Sequence, residues 1–93
     1  MLETIKNLLG FGPKVDIQAL ITQGAKIIDV RTPAEYNEGH VQGSINLPLQ
    51  TLANQMNKLK KNEVIITCCR SGSRSGMARP QLLAAGFTQV YNG

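Results

Sequence analysis

The segment Val64-Ile65-Ile66-Thr67-Cys68 most limits what this chain can fold into. Val, Ile and Thr are branched at Cβ, stiff at χ1 and suited to a pleated, buried strand. A second run of the same kind, Lys26-Ile27-Ile28-Asp29-Val30, precedes it. The segments around these runs carry helix signals. Asp16 is an N-cap for a helix holding Ile17, Leu20 and Ile21, and Gly24 closes it. Thr32-Pro33-Ala34-Glu35 supplies an N-cap, a first-position proline and the glutamate of a capping box; Gly39 ends that helix. Ser44 to Leu47 gives a short strand closed by Pro48, and Leu49, Leu52, Met56 and Leu59 follow at helical spacing. Ser71 to Gly76 is small and polar, hence a loop; about Ser75 to Ala85 suits a helix capped by Gly86, and Thr88 to Tyr91 a last strand. Strands alternating with helices imply an α/β domain around a mainly parallel sheet.

A chain of 93 residues suggests one domain. Two Tyr, two Phe and no Trp leave the core mainly aliphatic. Residues 1–12 form an N-terminal extension, with Leu2, Ile5, Leu8 and Leu9 on one face of a short helix that Gly10, Gly12 and Pro13 end. Residues 13–93 form the domain. The net charge of +4 favours an anionic partner. The cluster Lys58, Lys60 and Lys61 sits at a helix end, where cations complement the dipole. No basic stripe with interleaved aromatics points to nucleic acid. No run approaches the roughly 18 apolar residues of a membrane span. Met1 to Gly12, with acidic Glu3 and only a short Leu8-Leu9 pair, does not resemble a signal peptide. The two cysteines, Cys68 and Cys69, are adjacent and cannot staple distant segments. Thiols kept for reactivity fit a reducing compartment, so the expected location is cytoplasmic.

The chemistry sits in Cys69-Arg70-Ser71-Gly72-Ser73-Arg74-Ser75-Gly76, between a buried strand and a helix. Open α/β sheets bind ligands at the carboxyl ends of their strands. Small residues let the loop curl, so that successive N–H groups form an anion-binding nest, and the following helix adds its positive end. A Cys at the base of such a loop has its thiolate favoured, and the thiolate is the nucleophile. Arg70 and Arg74 add charge and forked donors. One loop can then hold a thiolate, a persulfide and an incoming anionic sulfur donor, as double-displacement sulfur transfer requires.

The run C-R-S-G-S-R-S resembles the active loop of the rhodanese family. Upstream, Ile28-Asp29-Val30-Arg31, Glu35-Tyr36, Gly39-His40-Val41 and Gly43-Ser44-Ile45-Asn46-Leu47-Pro48 are similar to the family's other signature. The resemblance covers roughly residues 15 to 93. It implies a rhodanese-like three-layer fold, a central mainly parallel sheet with helices on both faces. It implies a Cys69 persulfide, loaded by thiosulfate or another persulfide donor and unloaded by a thiol, cyanide or protein acceptor, with no cofactor or metal. The loop residues Arg70, Ser71, Gly72, Ser73 and Arg74, with Ser75, would meet the donor. The family usually continues beyond Val90-Tyr91-Asn92-Gly93 into another Gly, an aromatic and a closing helix, which this sequence does not include.

Register separates two chemistries. Four residues lie between Cys69 and Arg74, as in sulfurtransferases; five lie between Cys68 and Arg74, as in Cys-dependent phosphatases of the same fold. Three features favour Cys69. Thr67 stands where such phosphatases carry a His, no Asp follows Asp29, and strand alternation groups Cys68 with Val64 and Ile66 as the last core residue. A resolving-thiol role for Cys68 is the lesser alternative, and a sulfur-relay or sensing module without turnover is the alternative to an enzyme. Asp29 and Arg31 are expected to brace the site as partners. His40, the single His, is expected in a structural turn rather than a Cys–His dyad. Arg79 is expected to face solvent, and Met56 and Met77 to lie in the core. Arg74 is expected to tie the loop from inside, and Arg70 to meet the donor at the rim.

Overall fold

The computed structural model describes residues 16–93, so the helix expected over residues 1–12 lies outside the described residues. Four strands, β1 (Lys26–Asp29), β2 (Ile45–Asn46), β3 (Val64–Cys68) and β4 (Gln89–Asn92), form one sheet in the order β2-β1-β3-β4. Every neighbouring pair is parallel. The two β-branched runs are its centre, paired from Lys26↔Ile65 to Asp29↔Cys68. That register brings Asp29 and Cys68 side by side at the carboxyl edge. The helices are α1 (Ile17–Thr22), α2 (Pro33–Glu38), α3 (Leu52–Gln55) and α4 (Ser73–Ala84). The step from β1 to β2 runs one way across the sheet, and the steps to β3 and β4 run the other. Right-handed crossovers therefore put α2 on one face and α3 and α4 on the opposite face. This is the expected three-layer α/β arrangement.

The caps form as the residue types dictate. The Asp16 side chain accepts from the Ala19 amide at 3.0 Å. Thr32 and Glu35 close a reciprocal capping box at the start of α2, with Pro33 in the first turn. Gly24, just past α1, takes a positive φ of 99°, as a helix-ending glycine does. On the α3–α4 face, Ile28, Val30, Ile65 and Val90 of the sheet pack with Leu47, Leu52, Leu59, Ala78, Leu82 and Phe87. Ile27 and Ile66 point to the other face by alternation and are buried as well.

Several expectations need correction. Residues 49–59 do not form one helix. A 3-10 turn (Leu49–Thr51), α3 and a second 3-10 turn (Met56–Lys58) follow one another. The backbone leaves the helical region at Thr51 and Gln55, with φ of −116° and −119°, and no side chain caps the new starts. Burial of Leu52 and Leu59 holds the segment to the core in place of helical continuity. The second strand, expected over Ser44 to Leu47, shrinks to Ile45–Asn46. The helix α4 begins at Ser73, two residues earlier than expected, because Gly72 adopts φ +87° and turns the chain at once. On α4 the buried residues are Ser75, Ala78 and Leu82. Met77 falls off that face and is 56% exposed, so it is not a core residue. Met56 does pack on the core. Arg79 is exposed yet not merely solvated, since its Nε donates to the Val90 carbonyl at 2.8 Å and links α4 to β4.

Leu82 is fully buried in this cluster. Leu82→Ala is expected to cost about 2–5 kcal/mol, the loss of transfer energy plus a cavity. Urea unfolding of both proteins measures it, and a loss below about 1 kcal/mol would mean that α4 is not packed as described.

Candidate active site

The sulfur of Cys69 lies where β3 stops and α4 starts. It receives the Gly72 amide at 3.0 Å, the Ser75 amide at 3.3 Å and the Ser75 hydroxyl at 3.4 Å. Ser75 is the third residue of α4, and its N–H is one of the donors that a helix start leaves without an internal partner. A serine or aspartate in the N-cap position usually satisfies it. Gly72 occupies that position and has no side chain to offer, so the Cys69 sulfur accepts the bond. Behind it, the buried Thr67 hydroxyl lies 3.1 Å from the Ser75 carbonyl and 3.3 Å from the Tyr91 carbonyl. Asn92 Nδ2 reaches the Gly72 carbonyl at 3.5 Å.

The two cysteines therefore differ in acidity. Burial works against the Cys69 thiolate, but hydrogen bonds from the Ser75 hydroxyl and amide and from the Gly72 and Ser71 amides outweigh it. The thiol falls to about 7. Burial pushes the Cys68 thiol up to about 11, and the Asp29 carboxylate adds to the shift. Cys68 is half-buried beside Asp29, a more polar setting than the wholly apolar one expected from its alternation with Val64 and Ile66.

Asp29 and Arg31 are partners, as expected. Arg31 donates to the buried carboxylate through Nε at 2.9 Å, Nη2 at 2.7 Å and its own amide at 3.0 Å. Burial opposes the ionised form, yet these bonds hold Asp29 below its ordinary value. Arg31 Nη2 also donates to the Gly39 carbonyl at 2.7 Å, which fixes the end of α2. Asn46 Nδ2 bridges the Asp29 and Arg31 carbonyls at 3.0 and 2.9 Å.

Arg74 departs from expectation. It does not tie the loop from inside. It reaches out of the loop to α2, with Nη1 2.6 Å from Glu35 Oε1 and Nη2 2.9 Å from Glu35 Oε2. A carboxylate presents two acceptors that match the guanidinium fork, which loop amides cannot. Arg74, with help from the Thr32 amide, holds the Glu35 carboxyl well below the usual range. Glu35 is the site residue that the sequence reading missed. Its capping role was visible, but its second partner lies 39 positions away. Arg70 is exposed at the rim and makes no ion pair among the described residues. Ser73 is exposed, and its amide turns to Ser71 Oγ at 3.4 Å. His40 is exposed, stacked on the Tyr36 ring at 3.6 Å, with Nδ1 2.7 Å from the Tyr36 carbonyl. That is the structural turn expected of it. A cavity of about 110 Å³ opens beside the loop between Val30, Thr32, Pro48, Leu49, Gln50 and Arg74. Among the described residues no helix is long and apolar enough to cross a membrane.

The sequence pattern of the Rhodanese-like domain matches residues 14–92. The chain belongs to that family. The putative sulfur carrier protein YrkF of Bacillus subtilis (strain 168) is 35% identical over 86 residues, 92% of this chain and 44% of that protein. The thiosulfate sulfurtransferase PspE of Escherichia coli (strain K12) is 39% identical over 67 residues, 70% of this chain and 64% of its own. The chain thus spans about half to two-thirds of the length of these curated relatives. Among solved structures, the human single-domain sulfurtransferase TSTD1 is similar with a TM-score of 0.74 at 25% identity, over 87% of this chain and 88% of that one.

The acidity difference is directly measurable. Alkylation follows the thiolate fraction, so a Cys68→Ser protein should reach half its maximal rate near pH 7, the value to which Cys69 is lowered. Ser75→Ala in that background should move the midpoint upward, because it removes one hydroxyl donor. A Cys69→Ser protein should stay nearly unreactive at neutral pH, since Cys68 is lifted to about 11. A Cys69 midpoint at or above the free-thiol value of about 8.5 would count against the cradle.

Proposed function

We propose that this domain transfers sulfane sulfur through a persulfide on Cys69. The observation that carries the reading is the sulfur held by the Gly72 and Ser75 amides and the Ser75 hydroxyl at 3.0 to 3.4 Å. The Cys69 thiolate attacks the outer sulfur of a donor such as thiosulfate. A new S–S bond forms, the donor's S–S bond breaks, and sulfite leaves with the electron pair. The charge moves one atom outward, to Cys69–S–S⁻, and remains near the same positive helix end. A thiol, cyanide or protein acceptor then attacks the outer sulfur, and the Cys69 thiolate leaves into its cradle. Neither step calls for a metal, a cofactor or a general base. Asp29 and Arg31 brace the carboxyl edge, and Arg70, Ser71, Gly72 and Ser73 face the donor, whereas Ser75, expected to meet the donor, is fully buried and holds the Cys69 sulfur from within.

A relay in which Cys69 is loaded by one protein and unloaded by another is the second reading, and the similarity to a putative sulfur carrier favours it. The phosphate-ester reading has less support. Burial raises the Cys68 thiol to about 11, and Arg74 has both terminal nitrogens on Glu35.

Mass spectrometry after exposure to thiosulfate is the first test. One added sulfur atom is expected on Cys69, lost in Cys69→Ser and kept in Cys68→Ser; a sulfur mapped to Cys68 would overturn the assignment. Turnover with cyanide separates enzyme from carrier, because a carrier takes up the sulfur yet cycles slowly.

Donor charge provides a second test. Arg74 is engaged by Glu35, so Arg70 is the loop guanidinium exposed to meet a sulfonate. A lost charge-assisted contact is worth about 1.5–3 kcal/mol, roughly ten- to a hundred-fold. Arg70→Ala should raise the KM for thiosulfate by about that factor, with a smaller effect on an uncharged trisulfide donor. Equal losses with both donors would remove Arg70 from donor recognition.

A further inference from the structure

Glu35 has two functions to reconcile. Its Oε1 accepts from the Thr32 amide at 3.1 Å, the Thr32 hydroxyl at 3.0 Å and Arg74 Nη1 at 2.6 Å. Its Oε2 accepts from Arg74 Nη2 at 2.9 Å. The two Thr32 bonds cap α2. The two Arg74 bonds reach a different element, and Arg74 is the residue directly before Ser75, whose amide and hydroxyl hold the Cys69 sulfur. The first turn of α4 thus has two anchors. One is the Thr67 hydroxyl at the Ser75 carbonyl, inside the fold. The other is Glu35, from the opposite layer of the sheet. Helix starts fray, and this one has no side-chain cap of its own at Gly72.

We propose that Glu35 is a positioning residue for the sulfur cradle. By gripping Arg74 with both carboxylate oxygens, it fixes the first turn of α4 and so holds the Gly72 and Ser75 donors on Cys69. This deepens the persulfide reading, since it names what keeps that site in order. It also explains why Arg74 is an arginine, because a lysine ammonium has the charge but not the fork that matches a carboxylate. Glu35 touches no reacting atom in this scheme and acts through Arg74.

Glu35→Gln separates the two functions. The amide oxygen still accepts from Thr32, so the α2 cap survives, while the amide nitrogen opposes an Arg74 donor. The Cys69 alkylation midpoint, read in the Cys68→Ser background, is expected to rise by about half a pH unit, roughly threefold in thiolate acidity. Arg74→Ala should raise it similarly, and the double variant should go no further, because both changes break one contact. Arg74→Lys is a second route should Glu35→Gln fold poorly, and it should shift the midpoint in the same direction. An unchanged midpoint in Glu35→Gln and Arg74→Lys, or additive shifts in the double variant, would overturn the proposal. The alkylation readout needs no sulfur donor. A shifted midpoint without persulfide formation would sustain the positioning role and sink the sulfur-transfer reading, and persulfide formation with an unmoved midpoint would do the reverse.

Discussion

A backbone N–H that loses its carbonyl partner must find another acceptor, and at the turn from β3 to α4 that acceptor is sulfur. The site depends on this substitution. Gly72 at φ +87° lets the helix begin four residues after Cys69, and its missing side chain leaves the Ser75 amide for Cys69. A residue with a Cβ would be strained in that conformation, and one with an oxygen in the N-cap position would compete for the amide. The donors are oriented by β3 and α4, elements that the core already fixes. They need no reorganisation when the thiolate forms, which is why neutral dipoles can offset the burial of a charge. Thr67 extends the arrangement inward, because its hydroxyl joins α4 to the β4 edge through the Ser75 and Tyr91 carbonyls.

The charged residues around the loop mostly neutralise one another. Arg31 is engaged by Asp29, and Arg74 by Glu35. Arg31 also ties the end of α2 through the Gly39 carbonyl, and Arg74 links the first turn of α4 to Glu35 on α2. The Cys69 thiol is lowered by amides and a hydroxyl, and guanidinium charge plays no leading part. Under the proposed sulfur transfer, the fixed amides would hold any anionic sulfur at Cys69, and discrimination among donors would fall to the exposed Arg70 and to the cavity between the β1 edge and the turn at Pro48–Gln50.

Much of the fold was legible because its signals are local. The runs KIIDV and VIITC, the Thr32-Pro33-Ala34-Glu35 box and the closing glycines each declare their element within a few residues. The curl of the loop that turns amides onto Cys69 is legible for the same reason, and so is the Asp29–Arg31 pair, two positions apart. What the sequence concealed is non-local. Helical spacing from Leu49 to Leu59 could not reveal that two breaks are tolerated once Leu52 and Leu59 are buried. Polarity at Ser73 and Arg74 suggested loop, although Gly72 had already turned the chain into the helix. Met77 looked apolar enough for the core, but its place on α4 faces away from the Ser75–Ala78–Leu82 stripe. The Glu35–Arg74 contact spans 39 positions, and only the crossover from β1 to β2 brings α2 to the rim where they meet.

The adjacent cysteines show how much one residue of register decides. Cys68 is still in the strand, so alternation turns its side chain to the face of Asp29 and Ile66. There the thiolate would meet a carboxylate and lose water, and the thiol stays protonated to about 11. Cys69 has left the strand, so its side chain is free of the pleat and sits over the helix start, where the thiol falls to about 7. At neutral pH the two sulfurs are therefore chemically distinct, although a single peptide unit joins them. A nucleophile placed inside β3 would be desolvated, and one placed in α4 would point along a helix face. The first position past the strand is where the chain is both anchored by the sheet and surrounded by unsatisfied donors. That boundary, more than the identity of the flanking arginines, sets the acidity of the Cys69 thiol.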